Sequence, residues 1–177
     1  MRAVDKDTGL TQERLKSLLS YDPDSGVLRW KVWRPNGVKV GDAAGTVASN
    51  GYLKIQIDGH KYQASRLIWF YVKGEWPTDM VDHENQDKLD NRWVNLREAN
   101  ASQNGANRGG LGALSGLKGA HYAPRNKHKK WAASIRVNGR ARTIGYFHTP
   151  QEAHEAYLKA ADAEFGVFAN GGDNSES

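Results

Sequence analysis

The sequence predicts an α+β fold built from two small modules. Three observations carry that reading. Short runs at 27–33 and 52–57 alternate, or nearly alternate, apolar and polar residues, which is the period of a half-buried strand. Two other segments repeat apolar residues every three or four positions, the helical period: Leu15, Leu18 and Leu19, then Ala153, Ala156, Tyr157, Ala160 and Ala161. Between the modules, residues 108–116 hold four glycines in nine positions, the strongest linker signal in the chain.

Taken in order, residues 1–9 are polar and expected to fray. Thr11 is placed to cap a first helix. The turn residues 22–26 (Asp-Pro-Asp-Ser-Gly) lead into the strand at 27–33, which Arg34-Pro35-Asn36-Gly37 breaks. Residues 45–64 read as short antiparallel strands turning at 49–51 and 58–60. Residues 66–73 read as a mostly buried helix closed by Gly74. Beyond the linker, 120–122, 131–137 and 142–147 read as three strands, with Asn138-Gly139 as a hairpin turn. Thr149-Pro150-Gln151-Glu152 is a capping box with proline at the first helical position. Gly166 ends that helix. The expected domains are therefore 1–110 and 111–170, with 171–177 as a disordered tail.

The 177 residues include 25 Lys and Arg against 20 Asp and Glu, a net charge of +5. The surplus is concentrated: 118–142 contains Lys118, Arg125, Lys127, Lys129, Lys130, Arg136, Arg140 and Arg142 and no acidic residue. Such a block points to an anionic partner, nucleic acid before a membrane surface. The absence of cysteine excludes disulfides and Cys-ligated zinc. The first ten residues lack an apolar core, so no signal peptide is expected, and no run approaches the roughly 20 apolar residues of a membrane span. A soluble, cytoplasmic protein is expected.

The chemistry is concentrated at 79–107. Asp82 and His83 are adjacent, Asn95 precedes Leu96, and Asn104 follows His83 by twenty-one residues. A histidine of near-neutral pKa can take a proton from an attacking water, and carboxylate and amide oxygens suit Mg²⁺ or Mn²⁺ better than zinc. On a strand, Asp82 and His83 would point to opposite faces. Asn95-Leu96-Arg97-Glu98 has capping-box spacing, which would start a helix carrying Asn104. Each residue alone also fits an ordinary turn, cap or surface pair; the joint order is what carries information.

That order, with the segments 18–30 and 51–77, resembles the HNH (His-Me finger) nucleases of the phage homing type, over most of 11–107. The resemblance implies a ββα-metal core. In it His83 is the general base, Asn95 ties the loop, and Asp82 and Asn104 hold one Mg²⁺ or Mn²⁺ ion. Two positions depart from the family pattern: Ser65 stands where a histidine is frequent, and Gln86 where glycine is frequent. Residues 117–168 resemble an AP2 domain, a three-stranded sheet backed by one helix. It implies double-stranded DNA as partner, with Lys118, Arg125 and Arg136 on the exposed strand face. Arg140 and Arg142 would lie at phosphates, and Lys130 belongs to the same basic set. Ala141 and Thr143 depart from the AP2 pattern, so no sequence preference carries over. Four further histidines, at 121, 128, 148 and 154, lack ligand spacing.

The sequence thus reads as a metal-dependent DNA endonuclease. It is expected to act as a monomer in the cytoplasm (of a host cell if phage-encoded), with no small-molecule cofactor and no membrane partner. The rival reading is a non-catalytic AP2-type regulator that keeps a structural ββα remnant. RNA as the partner is less suited to a rigid sheet.

Overall fold

The computed structural model describes residues 9–108 and 114–172. Two compact units divide between Ala99 and Asn100. That point precedes the glycine-rich stretch, whose residues 109–113 lie outside the described residues, as do 1–8 and 173–177 of the expected frayed ends.

In the first unit, Thr11 accepts the Arg14 amide at 3.1 Å and starts α1 (Gln12–Leu18). Leu15 and Leu18 are buried, but Leu19 leaves the helix and opens β1 (Leu19–Asp22). β1 pairs antiparallel with β2 (Val27–Trp30). The strand expected over 27–33 stops at Trp30 because its partner begins at Leu19. The next amide, Lys31, bonds the Leu18 carbonyl at 2.8 Å instead. Gly26 closes this hairpin at φ 72°, and a Cβ there would meet the Asn91–Arg92 backbone at 2.5 Å. No residue but glycine fits that approach without displacement.

β3 (Thr46–Val47), β4 (Leu53–Ile57) and β5 (His60–Gln63) form an antiparallel sheet in the order β3-β4-β5. β4 alternates as its sequence requires: Ile55 and Ile57 are buried, Lys54 and Gln56 exposed. α2 (Ala64–Lys73) follows directly and ends at Gly74 in the left-handed conformation. Leu15, Leu19, Leu28, Ile55, Ile57, Tyr62, Leu67 and Ile68 make the core. Each such side chain stabilises the fold by about 1.5–3 kcal/mol through burial. β6 (Met80–His83) and β7 (Leu96–Ala99) form a hairpin that anchors to this core through Val81 and Leu96.

The second unit contains α3 (Ala101–Asn107), β8 (Ala120–Tyr122), β9 (Trp131–Val137), β10 (Arg140–Phe147) and α4 (Pro150–Phe165). The sheet is antiparallel in the order β10-β9-β8. Asn138 and Gly139 both take positive φ, 49° and 78°, the backbone that a tight two-residue hairpin demands. Thr149 and Glu152 complete the expected capping box on α4. The alanine-rich face of α4 lets it lie close on the sheet: Ala153 packs with Ala120 and Ala133, and Tyr157, Ala161 and Phe165 with Ile135. Gly119 has no Cβ because the Tyr157 ring occupies that space.

Candidate active site

The hairpin β6–β7 presents Asp82 and His83 as successive residues, opposite Arg97 and Leu96. Both are buried, at 6% and 4% exposure. Neighbours therefore cover both faces of β6, and both polar groups need partners. Arg97 donates from Nε to Asp82 Oδ2 at 3.1 Å, and its Nη1 lies 3.9 Å from Glu84 Oε1. Asp82 thus sits in a charge pair set by strand register.

The His83 Nε2 atom lies 3.2 Å from Asn91 Oδ1, and its ring centroid is 5.9 Å from that of Tyr52. Burial pushes the His83 pKa below the ordinary 6.5, against the pull of the Asn91 hydrogen bond and of Asp82, Asp87 and Asp90. The shift favours the uncharged imidazole, the form able to accept a proton.

Asn95 holds the intervening loop at both ends. Its Oδ1 accepts the Asn85 amide at 3.0 Å and its Nδ2 donates to the Asp90 carbonyl at 2.7 Å. The Glu84 amide bonds the Asn95 carbonyl at 3.0 Å. Asp90 adds to the scaffold by accepting from Asn85 Nδ2 at 2.8 Å and Arg92 Nε at 2.8 Å. The Arg92 guanidinium holds the Asp90 carboxyl down at a pKa of about 2. The expected capping box after Asn95 is not formed. Asn95 ends a single 3₁₀ turn (Trp93–Asn95), and the following residues enter β7, where pairing with β6 and burial of Leu96 and Ala99 override the local signal. The capping box falls five residues later, on Asn100 and Gln103 at the start of α3.

Asp82, His83 and Asn95 therefore stand together in the first unit. Asn104 lies half-buried on α3 in the second unit, four residues after its cap. Gln86 takes φ 66°, the left-handed backbone that favours glycine, which accounts physically for the frequent glycine noted at this position. Ser65 is fully buried and accepts from Gln63 Nε2 at 3.1 Å. The sequence does not single out Asn91 and Arg97, which bond His83 and Asp82, or Tyr21, which bonds the Asn91 carbonyl. Asn91 is visible there only as one more asparagine in an asparagine-rich loop.

Among the described residues no three His, Asp or Glu side chains cluster. The Asp82 carboxylate is nonetheless a hard oxygen donor. It fits an ion such as Mg²⁺, which keeps several waters, and does not fit a closed zinc site.

The basic residues of the second unit are distributed differently from the expectation. Lys118 and Arg125 are not on strands: β8 begins at Ala120, and Arg125 lies in the turn after it. The Lys118 ammonium donates to the Ala106, Arg108 and Asn170 carbonyls, and burial pushes its pKa down to about 8. Lys130 donates to Pro124 O at 3.1 Å and Asn126 O at 2.7 Å, bracing its own loop. Directly paired residues share a sheet face. Arg136 pairs with Ala141, whereas Arg140 and Arg142 pair with Val137 and Ile135, residues that pack with α4. Arg136 thus belongs to the open face, and Arg140 and Arg142 to the helix side, though all three are exposed.

The geometry is a hairpin that carries adjacent Asp and His and is closed by an asparagine-tied loop. Residues 62–106 match the HNH endonuclease family model. The chain is also similar to an uncharacterized HNH endonuclease of Acanthamoeba polyphaga mimivirus, 33% identical over 125 residues, which cover 70% of this chain and 63% of that relative. The chain therefore spans less than two thirds of the relative's length. No solved structure matches it.

Proposed function

We propose that this chain is a metal-dependent endonuclease of double-stranded DNA, of homing type, with His83 as the general base. The observation that carries the reading is the buried His83, next to Asp82 and hydrogen-bonded to Asn91, within the segment matched by the family model. His83 takes the proton from the water that attacks phosphorus, the bond from phosphorus to the 3′ oxygen breaks, and that oxygen takes a proton from solvent water, giving 5′-phosphate and 3′-hydroxyl ends. Asn95 keeps the loop between the two strands closed, so the imidazole does not drift from its place. A bound Mg²⁺ or Mn²⁺ would supply charge neutralisation at the phosphate. Asp82 is the carboxylate offered for that ion, and Asn104 is the second oxygen suggested by its spacing from His83 alone. The AP2-like second module would grip DNA through its exposed arginines, the protein acting as a monomer in the cytoplasm.

The test is incubation of purified protein with supercoiled DNA, with Mg²⁺, with Mn²⁺ and with chelator. Nicked or linear product in metal alone is expected. Because His83 must be neutral to act, the rate should fall as pH falls through its lowered pKa and level off above it. Cleavage that survives chelator would contradict the metal dependence. Binding without cleavage in either metal would favour the regulator.

A further inference from the structure

We propose that Asn91 is a positioning residue for His83, and that the first hairpin of the chain holds Asn91 in place. The proposal rests on the reading of His83 as general base. Asn91 is 2% exposed, and its side-chain amide is held in one orientation. Its Nδ2 donates to the Leu89 carbonyl at 3.1 Å, which fixes the amide so that Oδ1 faces the His83 ring at 3.2 Å. An amide oxygen only accepts, so the ring nitrogen facing it, Nε2, must carry the hydrogen. In a neutral imidazole this leaves Nδ1 as the nitrogen with the lone pair. Asn91 therefore favours Nδ1 as the nitrogen that receives the proton and helps to fix where the ring stands.

Two contacts from β1 and its turn fix Asn91 in turn. Tyr21, on β1, donates its hydroxyl to the Asn91 carbonyl at 2.9 Å. Gly26, in the turn between β1 and β2, abuts the Asn91–Arg92 peptide so closely that only a hydrogen fits. Tyr21 itself is held edge-on against Tyr71 of α2, with ring centroids 6.0 Å apart. Residues far apart in sequence thus form one connected series, from α2 through Tyr21 and Asn91 to the imidazole. The hairpin at 19–30 lies outside the matched segment 62–106, yet it bears directly on the candidate base. A merely space-filling loop residue would need neither an oriented amide nor a second anchor.

The experiment uses the full chain in four forms: wild type, His83→Ala, Asn91→Ala and Asn91→Asp, with Tyr21→Phe as a milder fifth. Two-bond proton–nitrogen correlation spectra of ¹⁵N-histidine protein report the tautomer of each ring, and the signal missing from His83→Ala identifies His83. Wild type and Asn91→Asp should show His83 protonated on Nε2, since a carboxylate oxygen also accepts there. Asn91→Ala should show a mixture of tautomers. In DNA cleavage with Mg²⁺, Asn91→Ala should lose roughly 10- to 100-fold in kcat with KM little changed, the scale of a misplaced reacting group. Asn91→Asp should recover part of that loss, and Tyr21→Phe should lose a few-fold. Should Asn91→Ala fail to fold, the Tyr21→Phe spectrum and rate decide the matter. An Nδ1-protonated His83 in wild type, or an unchanged tautomer and rate in Asn91→Ala, would overturn the proposal. Full-rate cleavage by His83→Ala would instead overturn the general-base reading, while the ring spectra still decide whether Asn91 sets the tautomer.

Discussion

The β6–β7 hairpin and the β8–β10 sheet are both short antiparallel assemblies, yet they treat polar side chains in opposite ways. In the hairpin, Asp82, His83, Asn91 and Asn95 are buried, and each is tied to a named partner at hydrogen-bond distance. In the sheet, Arg136, Arg140 and Arg142 are exposed, and they are divided between its two faces. Burying polar groups is costly unless their bonds are satisfied, so such a cluster is kept only where geometry matters. Exposed arginines need no fixed geometry to attract phosphate. Under the proposed function, the first region serves chemistry and the second serves binding of DNA.

The largest effect is expected at Asp82. Asp82→Ala removes the carboxylate proposed as a ligand of the ion and should cost metal-supported cleavage on the order of 10²-fold or more. It also strips Arg97 of its buried counter-charge, so thermal unfolding should show a loss of up to about 3 kcal/mol. Asp82→Asn should keep more of the stability and little of the activity. If calorimetry shows Mn²⁺ binding unchanged in either variant, Asp82 is not a ligand.

A smaller effect is expected in the second unit. Replacing Arg140 and Arg142 with alanine should flatten the salt dependence of DNA binding by about one unit of slope for each phosphate no longer neutralised. Cleavage at saturating DNA should hardly change. Arg136→Ala, on the open face, should instead weaken preference among DNA sequences. An unchanged slope in the double variant would remove β10 from the DNA-binding surface.

The smallest effect concerns the loop itself. Gln86 stands in left-handed backbone at φ 66°, a conformation that costs a side-chain-bearing residue about 1 kcal/mol or more. Gln86→Gly should stabilise the fold by less than about 1 kcal/mol, because glycine also gives up more freedom on folding. A lower melting temperature in this variant would mean that the Gln86 side chain contributes more than its backbone strain costs.

Much of this is legible in the sequence for reasons that are local. Turn chemistry places the hairpin at Asn138-Gly139, and the Thr149 capping box places α4. The adjacency of Asp82 and His83 needs no tertiary information. The features that the sequence hides depend on distant partners. Asn95-Leu96-Arg97-Glu98 has the spacing of a helix cap, and only the pairing of Leu96 with His83 makes it a strand. Lys118 reads as a surface charge because its acceptors, Ala106, Arg108 and Asn170, are far along the chain or near its end. Asn91 reads as a turn residue because its role shows only once a ring eight positions earlier and a tyrosine seventy positions earlier are brought to it.

Whether catalysis and DNA affinity reside in different parts of the chain is decided by His83→Ala. Its cleavage rate and its DNA affinity should be measured side by side with wild type in Mg²⁺. A rate lower by roughly 10²–10⁴-fold is expected, the scale of removing a general base, with an unchanged dissociation constant. A variant that cleaves at the wild-type rate, or one that loses affinity in step with its rate, would contradict that division.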